Sequence, residues 1–182
     1  MSSHVLSPRS LELAQTLVRM NTVSANSNLE LIDFARDHLA GLGVRSRITY
    51  NADKTKANLF ATLGAGKKAG VILSGHTDTV PWDGQEWTVD PLSAIVQDWP
   101  QDDADAEIAH VEPRLYGRGS ADMKSFIALA LANAEHFIES DSPFAVHFAF
   151  SYDEEVGCFG VRELIADMKE QAIKPVACII GE

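Results

Sequence analysis

The side chains best suited to chemistry are His76, Asp78, Asp122, Glu154, Glu155 and Glu182. Imidazole nitrogen mixed with carboxylate oxygen suits zinc or a similar transition metal, whereas calcium takes oxygen alone. If these carboxylates converge, they repel one another and take up protons, a cost that divalent cations remove. His76 and Asp78 lie two residues apart, so extended backbone projects both to one side, where the carboxylate can orient the ring. The pair alone reads equally well as a structural histidine. In Gly117-Arg118-Gly119-Ser120-Ala121-Asp122-Met123-Lys124 the aspartate is either a helix cap or a ligand. A phosphate-binding loop fits this segment worse, because the GxxxxGK[ST] order is absent and no strand leads in cleanly. The triplet Asp153-Glu154-Glu155 would ordinarily be a solvated face. Here it follows an apolar run, which puts at least one carboxylate at a sheet edge. Paired glutamates in different surroundings can divide into a metal ligand and a general base.

The elements that must position these groups alternate in period. Helical stripes run over Leu11–Met20, with Pro8 as a start signal, over Leu29–Leu42, and over Gly160–Lys169. Ser125–Ile138 is apolar nearly all round and reads as one buried helix. Strand patterns fall at Val44–Tyr50 and Asn58–Leu63. Val71–Leu73 is a continuous apolar run, and it, the mostly apolar Phe144–Phe150 and Val176–Ile180 are expected as buried strands. The expected fold class is therefore α/β: three layers, with helices on both faces of a largely parallel sheet. The chemistry-bearing residues follow strand ends: His76 and Asp78 after one, Glu154 and Glu155 after another, Glu182 after a third. Ligands of open α/β sheets bind beyond the carboxyl ends of the strands. The acidic stretch Gln97–Ala109 reads as an exposed loop without chemistry.

Composition narrows the partners. A hydrophobic fraction of 46% argues for a packed core, and a net charge of −11 argues against a nucleic-acid partner, which would be repelled through its phosphates. No apolar run approaches the about 20 residues needed to span a bilayer, and the N-terminus shows no secretory signal, so no membrane partner and a cytoplasmic location are expected. Cys158 and Cys178 have no CxxC spacing and are expected as buried, reduced thiols. His147 is expected as a core residue, and Trp82 and Trp87 as loop packing near a substrate mouth.

SGHTDTVP (74–81), GRGSADMK (117–124) and SYDEEVGCFG (151–160), in this order and spacing, resemble the co-catalytic metallopeptidase family. That family includes acetylornithine deacetylases, succinyl-diaminopimelate desuccinylases, aminoacylases and carboxypeptidases. The resemblance implies a zinc-exopeptidase-like catalytic domain with a mixed central sheet and two divalent metal ions, zinc or cobalt. Carried over by motif, His76 and Glu182 would hold one ion, Asp122 would bridge, and Glu155 would hold the second. Glu154 would be the general base, Asp78 the acidic residue behind the histidine, and Asp122–Met123 a cis peptide. VPWDGQEW (80–87), ADMKSFIALAL (121–131) and SYDEEVGCFGVREL (151–164) look most like the acetylornithine deacetylases, whereas Val156 departs from the desuccinylase pattern. This implies release of ornithine and acetate from a small N-acyl amino acid, a step of arginine biosynthesis; the alternatives are desuccinylation or hydrolysis of another N-acyl amino acid. Family chains are longer, carry a further histidine ligand near the C-terminus, and have a lid and dimerisation domain. The resemblance therefore implies that residues 1–182 are the N-terminal portion of a catalytic domain, incomplete at the C-terminus. It would be inactive alone and homodimeric when full-length.

Overall fold

A computed structural model describes residues 7–64, 69–98 and 113–182. Helix α1 (Pro8–Arg19) starts where Ser7 caps it, the Oγ accepting from the Ser10 amide at 3.1 Å, with Pro8 in the first turn. Helix α2 (Leu29–Gly41) stops before Gly43, which adopts a left-handed φ of +76°. The strands are β1 (Ser46–Tyr50), β2 (Ala57–Leu63), β3 (Gly70–His76), β4 (Ile95–Asp98), β5 (Pro113–Tyr116), β6 (Ala145–Ser151) and β7 (Ala177–Ile180). Helices α3 (Lys124–Ala132), α4 (Ala134–Glu139) and α5 (Phe159–Glu170) complete the fold.

The main sheet has the order β1-β2-β6-β3-β7. β3 pairs in parallel with both β6 and β7, and β2 runs antiparallel to β1 and β6. The sheet is therefore mixed, with β2 alone running against the others. Along β2 the side chains alternate between two cores, as a period of two requires. Leu59, Ala61 and Leu63 join Leu17, Leu31, Ile127 and Phe148 beneath α1 to α4, while Phe60 joins Ile72, Ala149 and Leu164 beneath α5. Each fully buried leucine or phenylalanine contributes about 1.5–3 kcal/mol relative to exposure. The expected three-layer α/β/α arrangement is thus the observed one.

Several expectations need correction. The single helix over Ser125–Ile138 is two, α3 and α4, separated at Asn133, whose side-chain amide donates to the Leu129 carbonyl at 2.8 Å. That local bond competes with the helical ladder. Among the described residues β7 is exposed along its length rather than buried, with Ile180 63% accessible, because it lies at the sheet edge and pairs there with β3 alone. Both cysteines are exposed: Cys178 lies on that edge strand, and Cys158 occupies the left-handed residue that starts α5. A strand does lead into the glycine-rich turn, since β5 ends at Tyr116, directly before Gly117. Most of the acidic stretch falls outside the described residues, with Gln97 and Asp98 ending β4. His147 is a core residue as expected, stacked on Phe60 and bonded to the Thr62 hydroxyl at 2.9 Å.

Candidate metal centre

The register of three parallel strands builds the site. His76 ends β3 opposite Ser151 of β6, and Ser74 stands opposite Ile180 of β7, so the chain leaving β7 delivers Glu182 beside His76. Asp122 arrives from the other direction, in the turn before α3, and the Asp122–Met123 peptide is cis. His76 Nε2 lies 2.9 Å from Asp122 Oδ1, 3.6 Å from Glu182 Oε1 and 3.9 Å from Glu154 Oε2. Among the described residues, one ligand atom each from His76, Asp122 and Glu182 falls within 4.8 Å of the others. Tetrahedral ligands at about 2.1 Å from zinc stand roughly 3.4 Å apart, so this trio fits a single ion. The Glu155 carboxylate is not in that trio. Glu155 instead lines a neighbouring cleft of about 530 Å³ together with Trp82 and Val156, while Trp87 stacks beneath the Arg118 guanidinium.

Asp78 organises the interior side of the site. The His76 Nδ1–H donates to the Asp78 backbone carbonyl at 2.9 Å, and the Asp78 carboxylate stands 3.5 Å away. The main chain of Asp78 thus takes the ring hydrogen bond, and the carboxylate of the same residue stands beside it as the adjacent charge. The carboxylate also takes other donors. Its Oδ1 accepts from the Glu154 amide at 3.0 Å, and its Oδ2 accepts from the Glu155 amide at 3.3 Å and from the Ser24 hydroxyl at 2.7 Å. Asp78 thus connects the metal-facing ring to the backbone of the glutamate pair. The turn carrying that pair is also fixed from β2. Asn58 accepts from the Tyr152 amide and donates to the Gly160 carbonyl, and Lys56 pairs with Asp153.

The electrostatics follow from this crowding. Burial disfavours a charged His76, yet the Asp78 carboxylate and carbonyl, joined by Asp122, outweigh it and raise the ring to about 9. Burial pushes Asp78 up, but His76, Ser24 and the Glu154 amide more than offset it and leave the carboxyl below its ordinary value. Burial, then the Asp122 charge, raises Glu155. A group of mutually repelling carboxylates around one imidazole is the donor set that divalent cations neutralise.

Two glycines bring the backbone close enough to shape this rim. Gly119, in the turn before Asp122, has φ +82°, and a Cβ there would lie 2.9 Å from the Thr79 methyl. At Gly181, bonded to the Ser74 carbonyl at 3.2 Å, a Cβ would lie 2.1 Å from the Phe126 ring. Gly181→Ala is expected to cost about 1–3 kcal/mol by overpacking, read by urea unfolding, and to weaken metal binding because Glu182 is the next residue. Unaltered unfolding and metal affinity would show that the ring yields without cost.

Sequence reasoning missed Ser24, Asn28 and Lys56, all of which touch the site's supports. Asn28 donates to the Thr77 hydroxyl at 2.8 Å, and Lys56 donates to the Ser24 carbonyl. Nothing in the sequence separates Ser24 and Asn28, within the mostly polar run from Asn21 to Asn28, or Lys56, just before β2, from ordinary loop residues.

Carboxylates and a histidine gathered at the carboxyl rim of an α/β/α sheet define a domain of the metal-dependent peptidase class. The chain belongs to peptidase family M20/M25/M40, whose family model matches residues 72–182, and this is a family of hydrolases. It is 34% identical to the acetylornithine deacetylase of Proteus mirabilis (strain HI4320), over 96% of this chain and 42% of that protein. It is 31% identical to the acetylornithine deacetylase of Pasteurella multocida (strain Pm70), over 96% of this chain and 43% of that protein. The chain thus spans less than half the length of these relatives. In fold it resembles the M20 family metallo-carboxypeptidase Sso-CP2 of Sulfolobus solfataricus, with a TM-score of 0.74 at 19% identity, over 100% of this chain and 37% of that one. Human carnosine dipeptidase 1 gives 0.68 at 23% identity, over 94% and 37%. Among the described residues, no helix is long and apolar enough to cross a membrane.

Proposed function

We propose that the full-length protein hydrolyses the amide of N2-acetyl-L-ornithine, giving L-ornithine and acetate. In this reading residues 1–182 are the N-terminal portion of its catalytic domain, and the substrate is a small N-acyl amino acid. The relatives named as acetylornithine deacetylases support the substrate class. The observation that carries the chemistry is the Glu154 carboxylate, 3.9 Å from His76 Nε2, with its own amide anchored on Asp78.

His76 and Glu182 would hold one divalent ion, Asp122 would stand between two, and Glu155 would hold the second, with zinc or cobalt favoured by the nitrogen and oxygen donors. When bound, the ions supply Lewis-acid polarisation of the amide carbonyl and acidify a water. Glu154 takes a proton from that water as its oxygen attacks the acetyl carbon. It then returns the proton to the ornithine nitrogen as the C–N bond breaks. Asp78 holds the base in place by its backbone while keeping its own charge against the His76 ring.

The test is hydrolysis by the full-length protein, with released acetate and ornithine measured. Activity on acetylornithine should vanish with a chelator, return with zinc or cobalt, and exceed that on N-succinyl-diaminopimelate at least about tenfold in kcat/KM, the discrimination of about 1.4 kcal/mol. The reverse preference would shift the assignment to desuccinylation.

A further inference from the structure

Residues 22–24 run beside the strand end that carries the site. The Thr79 amide donates to the Thr22 carbonyl and the Ser24 amide to the Thr79 carbonyl, each at 3.1 Å, so Val23 and Thr79 form a short parallel bridge. The Thr22 hydroxyl adds a bond of 2.6 Å to the Thr77 carbonyl. This pairing leaves the Ser24 side chain facing the Asp78 carboxylate, with Oγ 2.7 Å from Oδ2 and both residues buried. The same hydroxyl lies 3.4 Å from the Thr79 carbonyl, a longer contact than the one to Asp78. Lys56 closes the arrangement by donating to the Ser24 carbonyl while pairing with Asp153, next to Glu154.

We propose that Ser24 is a positioning residue of the hydrolytic site, its hydroxyl setting the rotation of the Asp78 carboxylate so that one group serves both the His76 ring and the Glu154–Glu155 amides. Asp78 Oδ2 accepts from Ser24 and from Glu155, and Oδ1 accepts from Glu154 while facing His76. The Ser24 hydroxyl is the side-chain donor in that set whose own backbone is anchored to a different segment. Without it, one lone pair of a buried carboxylate loses its partner, and the carboxylate is free to turn toward His76 and away from the glutamate amides. The inference rests on the hydrolase reading for its kinetic consequence, but its geometric content concerns this chain's own residues.

The test compares Ser24→Ala, Ser24→Cys and Ser24→Thr in the full-length protein loaded with Co²⁺, reading kcat, KM, thermal unfolding and the visible absorption bands of the bound ion. Removing a partner that acts behind a metal ligand typically costs 10–100-fold in activity or metal affinity. For Ser24→Ala we expect kcat to fall about tenfold with KM within about threefold, and the Co²⁺ bands to shift. Ser24→Thr keeps the hydroxyl and should restore both, while Ser24→Cys, of similar size but a weak donor, should fall between. Should the alanine variant fail to fold, the cysteine and threonine pair still decides the matter. Unchanged kcat and spectrum in Ser24→Ala, or a threonine variant as impaired as alanine, overturns the proposal. If the wild-type protein hydrolyses no N-acyl amino acid, the functional reading fails, while the Co²⁺ spectra still report on Ser24.

Discussion

Glu154→Gln in the full-length protein is expected to lower kcat by about 10²–10⁴-fold, the range a positioned general acid–base supplies, with metal affinity within a few-fold of wild type. The reasoning is geometric. The Glu154 amide is pinned to Asp78 by the main chain, so replacing the side chain leaves the backbone anchor intact. Glutamine keeps the size and a carbonyl acceptor but cannot take a proton at neutral pH. The ligand trio of His76, Asp122 and Glu182 does not include Glu154, so ion binding should survive. Glu155→Gln, by contrast, should reduce the amount of the second ion bound. Metal content by elemental analysis together with single-turnover kinetics separates the two outcomes. A Glu154→Gln enzyme with wild-type turnover would falsify the base assignment, and one that had lost its metal would make Glu154 a ligand instead.

The second large effect is on metal affinity as a function of pH. In the metal-free protein His76 titrates at about 9, raised against the pull of burial by Asp78 and Asp122. A metal must displace that proton, because only the neutral ring ligates. Below pH 9 apparent affinity should therefore climb about tenfold per pH unit, and it should level off above. Between pH 6 and 8 the gain is about 100-fold for the ion held by His76. Titration in buffers of different ionisation enthalpy should also find close to one proton released per ion at this site. The folding linkage has the opposite sign. A folded-state value above the unfolded one contributes stability that is complete below about 6.5 and is lost as pH rises through about 9, so the metal-free protein should weaken over that interval. Asp78→Asn removes the main favourable partner of the imidazolium and should flatten both profiles. An affinity that stays constant from pH 6 to 8 in the wild type would show that His76 is already neutral.

Much of this site can be read from the chain because metal chemistry restricts residue type. Few side chains ligate transition metals, and His76, Asp122, Glu154 and Glu182 follow apolar runs or open a helix. The ends of buried strands are visible in a linear pattern, so their convergence at one rim could be anticipated. The layers were legible for the same reason, since the apolar runs of β2 and β3 and the helical period of α1 reflect which faces are buried. Where the pattern misled, the missing information was lateral. The apolar run over 176–180 looks like a central strand, but the order β1-β2-β6-β3-β7 puts it at an edge. Cys178 is exposed with it. Asn133 divides a run that is apolar nearly throughout, because its side chain competes for a helical carbonyl.

Ligand chemistry, fold class and strand-end placement are written in residue identity and period, since burial and metal affinity each select a few side-chain types. Partnership is not written there. Which atom of Asp78 meets His76, two residues away, depends on the local backbone path, and why that carboxylate turns to the Glu154 and Glu155 amides, with Ser24 behind it, depends on segments more than 50 positions apart. A hydrogen bond needs distance and direction within a few tenths of an ångström, and only the packed chain supplies those.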